Sequence, residues 1–129
     1  TMESKRQQQV SELILRNFSY VLIQEGFNIY GNKPLVTVTQ VKVATDLQLA
    51  RIYLSIYNVE DKEAVLNQIK ENDFKLKQEM YHRLRKQLRR MPAIEYFIDE
   101  TLDEMYRVEE LFQKLEANQL KAPITSPKD

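Results

Sequence analysis

Residues 35–57, LVTVTQVKVATDLQLARIYLSIY, determine how this 129-residue chain folds. The first nine residues are rich in β-branched side chains, and the last eight alternate apolar residues with polar or aromatic ones, as strands with one buried face do. Thr45-Asp46 begins a turn between the two runs, so the segment predicts a pair of strands. The inward positions of the second strand are Ala50, Ile52, Leu54 and Ile56.

The first strand changes its apolar phase near the middle. Val36 and Val38 lie on one face of a regular strand, whereas Val41 and Val43 lie on the other. One additional residue between the two pairs would bring all four valines to the same face. The sequence therefore predicts a β-bulge at Thr39-Gln40.

Further elements are predicted on both sides of the strand pair. Apolar residues recur at helical spacing over 4–25, Gly26 follows as a natural helix stop, and 27–34 is predicted as a loop. Alternation over 93–99 predicts a third strand. A last helix is defined by apolar residues at helical spacing, which are Leu102, Met105, Val108, Phe112 and Leu115.

A helix pair with a kink is predicted between the second and third strands. Asp61 or Glu60 can cap the first helix, whose apolar stripe, carried forward, falls on the polar residues of Glu71-Asn72-Asp73. Because polar residues on a buried face argue against one continuous helix, the kink is predicted there. The second helix resumes at Phe74 and is predicted to run until Pro92 ends it. Its buried side is formed by Leu76, Met80, Tyr81, Leu84 and Leu88.

The element order α-β-β-α-α-β-α predicts an α+β fold in which helices pack on one side of a three-stranded sheet. We expect one domain over residues 2–117 and a flexible tail over 118–129, where prolines stand among small and polar residues. The chain has no cysteine, which excludes disulfides and thiolate metal sites. No stretch approaches the length of a membrane helix and the N-terminus lacks the apolar block of a signal peptide, so a soluble protein with no membrane partner is expected. The lack of cysteine favours a cytoplasmic location, and a monomer is expected.

Charge is unevenly distributed along a chain whose formal net charge is +0. Between Lys75 and Arg90, seven basic residues face Glu79 alone, a local balance of +6. Acidic residues dominate between Glu95 and Glu116, which include the last predicted helix. Because the placement of charge determines the local field, the +6 segment is a candidate nucleic-acid surface despite the neutral total.

On a helical wheel, the basic residues of this segment lie opposite the predicted buried side. In one interpretation they form a stripe that contacts RNA phosphates, and in the other they form an ordinary solvated helix face. Lys42 and Arg51 are further candidates on the strands, and Lys5, Arg6 and Arg16 near the N-terminus are weaker ones. The proposed stripe consists of Lys75, His82, Arg83, Lys86, Arg89 and Arg90.

Aromatic residues accompany a cation on the second strand. Arg51, Tyr53 and Tyr57 share the face opposite the core positions, so the tyrosines could stack on unpaired bases. The alternative is that they are half-buried residues of a small sheet, which is the commoner situation for tyrosine.

No catalytic, metal or cofactor site can be assembled from the sequence. His82 is the only histidine and has no thiol or second imidazole with which to form a triad or a metal site. Asp99-Glu100 begins the last predicted helix, where acidic residues meet the helix dipole favourably. No glycine-rich phosphate loop is present, so neither an enzyme nor a small-molecule substrate is expected.

Two blocks of residues resemble the ribosome-binding factor A family, and the element order is similar to the type II KH fold. The resemblance covers roughly residues 5–115. The first block is Val36-Thr37-Val38-Thr39, Val41, Val43, Asp46-Leu47, Ala50, Tyr53 and Ser55. The second is Arg90-Met91-Pro92, Phe97, Asp99-Glu100, Leu102, Arg107 and Leu111.

The resemblance implies a KH-like fold that lacks the Gly-x-x-Gly loop and has an Ala-x-Gly kink instead. This chain has no glycine after Gly31, and its kink reads Glu71-Asn72-Asp73, in which asparagine tolerates a left-handed conformation. The resemblance also implies binding to the immature small (30S) ribosomal subunit and its 16S rRNA near the 5′ region, in late maturation and cold adaptation. A protein-interaction module that uses the terminal helices, and a generic single-stranded RNA binder, are the alternatives.

Overall fold

The structure, a computed structural model, describes residues 3–101 and 111–117. The chain divides into two units, residues 1–99 and 100–129. In the first unit, the described residues 3–99 form three helices and three strands. These are α1 (Lys5–Tyr30), β1 (Leu35–Val43), β2 (Leu49–Tyr57), α2 (Lys62–Glu71), α3 (Asp73–Leu84) and β3 (Ala93–Ile98).

The sheet has the strand order β1-β2-β3, in which β2 is antiparallel to β1 and parallel to β3. As predicted, the alternating residues of β2 place Ala50, Ile52, Leu54 and Ile56 in the core, where they are fully buried. The helices supply the other half of this core through Phe18 of α1 and the buried stripes of α2 and α3. The predicted α+β class and the order of these six elements are confirmed.

The predicted β-bulge is present in β1. The register with β2 shifts between Val38 and Gln40, and Thr39 is the additional residue. As a result Val38, Val41 and Val43 are all buried, on both sides of the shift. The Thr39 hydroxyl donates to the carboxylate of Asp99 just after β3, at 2.7 Å. The bulge therefore keeps one apolar face on a strand whose sequence changes phase.

Helix α1 is longer than predicted, and Gly26 does not end it. Gly26 is buried within the helix, and the ring and hydroxyl of Tyr30, one turn later, occupy the space where a Cβ atom would stand. The helix ends at Gly31, which has φ 84° and donates its N–H to the Phe27 carbonyl at 3.0 Å. Gly26 is thus a packing position, and the left-handed capping role belongs to Gly31.

The start of α1 is held to the sheet by Gln7. Ser4 and Gln7 form a capping box, in which the Ser4 hydroxyl accepts from the Gln7 backbone N–H. The buried Gln7 amide also donates to the Val43 carbonyl at 2.9 Å. This arrangement fixes the first turn of α1 against the end of β1.

The kink lies where the polar residues predicted it. Asp61 caps α2 by accepting from Ala64 N–H, α2 ends at Glu71, and α3 begins at Asp73. Asn72 has φ −100° and ψ 15°, so the kink does not use the left-handed conformation that asparagine tolerates. Its side-chain amide donates to the Gln68 carbonyl at 2.8 Å, which offers an exposed backbone acceptor a partner at the end of α2.

Helix α3 ends at Leu84, well before Pro92, so its predicted length is wrong. The Leu84 carbonyl accepts from both Gln87 and Leu88 N–H groups, which closes a tight turn. Leu88 is still buried, because that turn keeps the four-residue spacing of the stripe after the helix has stopped. Tyr81, which was placed on the buried side, is 44% exposed.

In the second unit, residues 111–117 are helical. This agrees with the last part of the predicted closing helix, whereas Leu102, Met105 and Val108 lie outside the described residues, as does the predicted tail 118–129. A single domain over 2–117 remains a prediction. No helix in the described ranges is long and apolar enough to cross a membrane.

Candidate nucleic-acid interface

Two cations of the predicted stripe, Lys75 and Arg83, are engaged by α1. Lys75 Nζ lies 3.2 Å from a carboxylate oxygen of Glu25. Arg83 donates from Nε to the Asn17 side-chain oxygen at 2.9 Å, and its guanidinium carbon lies 4.0 Å from the ring centroid of Tyr20. Both side chains therefore contribute to the contact between α1 and α3 as well as to surface charge.

His82 lies on the exposed side of α3, next to Arg83. Its ring is tilted by 58° to that of Tyr81, with centroids 6.4 Å apart. No set of three or more histidine, cysteine or carboxylate residues in 3–101 or 111–117 is placed to hold a metal ion. His82 is exposed, and its role as an RNA contact stays a prediction.

The remaining cations of the stripe lie beyond the helix, on an irregular segment that joins α3 to β3. Lys86, Arg89 and Arg90 are exposed, and in the part of the chain that the structure describes no ion pair engages them. The segment is anchored by the buried side chains of Leu88 and Pro92. The wheel that grouped these residues with α3 was therefore wrong for them, because they project from a turn rather than from a helix face.

Arg89 and Arg90 share a groove with Arg6. From the sequence, Arg6 was predicted only as a weaker candidate. We call it the arginine groove; its cavity volume is about 660 Å³. Arg6 also donates to the Gln87 carbonyl at 3.4 Å, a long contact that links α1 to the segment after α3. The other residues that line the groove are Val10, Asp46, Leu47, Gln48, Gln87, Leu88 and Pro92.

The strand candidates lie on the sheet face opposite the core. Arg51 is paired with Glu95 in register on β3, with Nε 3.4 Å from a carboxylate oxygen. Lys42 is the β1 register partner of Arg51 and is exposed. Because both members of the Arg51–Glu95 pair are about half exposed, the pair partly offsets the positive charge that Arg51 would present.

The aromatic candidates are both half-buried. Tyr53 stacks on Phe97 of β3, with ring centroids 5.4 Å apart and an interplanar angle of 25°. Phe97 is 38% exposed, and it was not among the predicted candidates although the alternation over 93–99 places it on the outward face of β3. Tyr57 lies at the end of the same strand. A base could be added to the Tyr53–Phe97 pair only at an exposed ring edge or face.

A second groove, of about 390 Å³, runs beside the kink and is lined by Lys70, Asp73, Glu95 and part of β3. The buried hydroxyl of Tyr96 donates to Asp73 at 2.5 Å. Burial raises the pKa of Tyr96, and the hydrogen bond and negative charge of Asp73 raise it further. Two carboxylates beside one lysine make this groove a poor site for phosphate, unlike the arginine groove.

Comparison with known proteins identifies the family. The model of the family described as ribosome-binding factor A matches residues 6–112. The chain belongs to the ribosome-binding factor A family. The ribosome-binding factor A of Cytophaga hutchinsonii is 35% identical over 114 residues, which are 88% of this chain and 85% of that protein. That of Christiangramia forsetii is 34% identical over 102 residues, 78% of this chain and 77% of the relative.

Solved structures of ribosome-binding factor A share the KH-like fold. The crystal structure of the factor from Thermus thermophilus has a TM-score of 0.57 at 17% identity and covers 71% of this chain and 94% of its own. A homology model of the Thermus thermophilus factor, fitted into the cryo-EM map of a 30S complex, has a TM-score of 0.56 at 20% identity. It covers 69% of this chain and 90% of its own. The predicted family and KH-like fold are therefore confirmed, although the kink has no small residues.

Proposed function

We propose that the protein binds the small ribosomal subunit during its assembly and contacts 16S rRNA, without covalent chemistry of its own. The observation that carries the proposal is the exposed basic segment after α3, in a chain whose family is named for ribosome binding. A homology model of a relative with the same fold was fitted into the cryo-EM map of a 30S complex. Lys86, Arg89 and Arg90 have no ion-pair partner among residues 3–101 and 111–117, so binding an RNA phosphate would break no ion pair described there.

The proposed surface extends from this segment to neighbouring elements. Lys86, Arg89 and Arg90 are its centre, and His82 continues it along α3, where Lys75 and Arg83 add charge while contacting α1. On the sheet, Lys42 and Arg51 are further phosphate contacts, and Tyr53 and Tyr57 are candidates for stacking on unpaired bases. The finer role, assistance to late maturation of the rRNA 5′ region in the cytoplasm, rests on the family resemblance.

The test is co-sedimentation with ribosomal fractions at increasing salt. The wild-type protein is expected in the small-subunit fraction, in amounts that fall steeply as salt rises, because phosphate contacts release counterions. Lys86→Glu with Arg90→Glu should abolish the association, whereas Lys33→Glu with Lys70→Glu, an equal charge change at other exposed positions, should reduce it far less. Equal co-sedimentation of the two double variants would refute the RNA surface.

A second candidate function is a protein-interaction module. Ile23 and Phe27, on the last two turns of α1, are 80% and 66% exposed, which is unusual for large apolar side chains of one helix. Binding through them would depend little on salt and would be lost in Ile23→Ser with Phe27→Ser. A generic single-stranded RNA binder, in turn, would show no preference for small subunits over free RNA.

A further inference from the structure

We propose that the arginine groove is the site that holds the phosphodiester backbone of rRNA, and that Arg6 is an essential member of it. This inference rests on the proposed function and deepens it, because it assigns the principal RNA contact to three guanidinium groups from two separate elements. Arg6 comes from the first turn of α1, whereas Arg89 and Arg90 come from the segment before β3. Because the three arginines come from two elements, they can contact successive phosphates of an RNA strand that passes between those elements.

The groove is held in place on both sides. On the α1 side, Gln7 is buried and bonded to the Val43 carbonyl, so the neighbouring Arg6 starts from a fixed backbone. On the other side, buried Leu88 and Pro92 flank Arg89 and Arg90, and Ala93 N–H donates to the Gln48 carbonyl at 2.9 Å. Because both backbones are fixed, less conformational entropy is lost when the arginine side chains bind an anion.

The chemistry of arginine favours this location over the rest of the basic surface. A guanidinium group presents a planar fork of donors that matches two oxygens of a phosphate, which a lysine ammonium does not. Arg83 donates to Asn17 at 2.9 Å and Arg51 is ion-paired with Glu95. Among residues 3–101 and 111–117, the groove arginines form no ion pair, and Arg6 makes only a long contact, at 3.4 Å, with the neutral Gln87 carbonyl. Asp46 also lines the groove, and its carboxylate accepts from the Gln48 backbone N–H at 3.1 Å. This hydrogen bond already stabilises the Asp46 charge, so an ion pair with a groove arginine is less favoured.

The experiment compares two triple variants that change the net charge equally. Arg6→Gln, Arg89→Gln and Arg90→Gln remove the groove, whereas Arg16→Gln, Lys33→Gln and Lys70→Gln remove three exposed cations elsewhere. Affinity is measured for purified small subunits and for a 16S rRNA transcript over a range of about 50 to 200 mM salt. The groove variant should reduce the slope of log affinity against log salt by about 2 to 3, since each lost phosphate contact removes roughly one.

The matched control should keep a slope close to that of the wild type. If both triple variants lose the same slope, the groove has no special part and the inference is overturned while the proposed function stands. If the wild type associates with neither small subunits nor rRNA, both fail. If the groove variant binds small subunits less but the transcript as well as wild type, the groove contacts a ribosomal protein and the phosphodiester assignment is wrong.

Folding is controlled independently, because Arg6 also contacts the Gln87 carbonyl. The double variant Arg89→Gln with Arg90→Gln leaves that contact in place. It should reduce the slope by about two thirds as much as the triple groove variant does. A single Arg6→Gln variant that melts like wild type and still lowers the slope by about one would establish Arg6 as a direct contact. A folded Arg6→Gln variant with an unchanged slope would remove Arg6 from the site.

Discussion

Tyr96 of β3 donates its hydroxyl to Asp73, the first residue of α3, at 2.5 Å, and so ties the third strand to the kink between α2 and α3. The Tyr96 ring packs against that of Phe18 in the core, with ring centroids 5.8 Å apart. One side chain thus joins α1, β3 and the start of α3. In a kink that lacks small residues, this hydrogen bond holds the first turn of α3 against the sheet.

We expect Tyr96→Phe to lower the free energy of unfolding by about 1.5 to 3 kcal/mol, the range for a hydrogen bond to a charged group. The phenyl ring of the variant still packs on Phe18. The lost stability therefore measures the hydrogen bond of the Tyr96 hydroxyl to Asp73, including the cost of leaving the Asp73 carboxylate without this donor. Urea unfolding followed by circular dichroism measures the change. Tyr81→Phe, at an exposed position, is the control and should be nearly neutral.

The raised pKa of Tyr96 also predicts a specific loss of stability at alkaline pH. In the unfolded chain the phenol ionises near its ordinary value of 10.0, whereas in the folded protein burial and Asp73 keep it protonated at higher pH. The contribution to stability is therefore complete below about pH 10 and decreases above it by about 1.4 kcal/mol per pH unit. Thermal melts from about pH 8 to 11 should show a steeper decline for wild type than for Tyr96→Phe, and parallel curves would contradict this.

The features that sequence patterns predicted correctly are those determined by neighbours in the chain. Period-two alternation identified β2, and the phase change among the valines of β1 identified the bulge. Both predictions succeeded because successive side chains of a strand point to opposite faces of the sheet. The same reasoning failed for the end of α3. Leu88 keeps the spacing of the buried stripe although the helix stops at Leu84, so periodicity alone did not show the boundary.

The arginine groove shows why the candidate site was harder to predict than the fold. Arg89 and Arg90 were selected for their place on a helical wheel, but they lie on a turn, and their surface neighbour Arg6 is more than eighty positions away in the sequence. Only the docking of α1 against the segment after α3 brings the three together. Similarly, the pairing of Arg51 with Glu95 depends on the register of β2 and β3, which composition does not reveal.

The packing of Tyr30 on Gly26 predicts a non-additive pair of substitutions. In a free helix, alanine is more stable than glycine by about 1 kcal/mol, but a Cβ atom at Gly26 would displace the Tyr30 ring. Gly26→Ala should therefore stabilise the protein clearly in a Tyr30→Ala background and much less, or not at all, in the wild type. A double-mutant cycle by urea unfolding measures this coupling, and equal effects in both backgrounds would show that the ring does not need the space.

The contacts of Arg83 predict that it stabilises the fold, unlike Lys86 in the turn after α3. Its guanidinium lies over the Tyr20 ring and donates to Asn17, so Arg83→Gln should lower the free energy of unfolding by about 0.5 to 1 kcal/mol, a modest value because the site is exposed. Lys86→Gln removes the same charge from the turn after α3 and should change stability by less than the measurement error. Equal losses for the two variants would mean that segment charge, rather than the contact between α1 and α3, determines the effect. Repeating both measurements at high salt separates these causes, since screening weakens a general charge effect while the Arg83–Asn17 hydrogen bond persists.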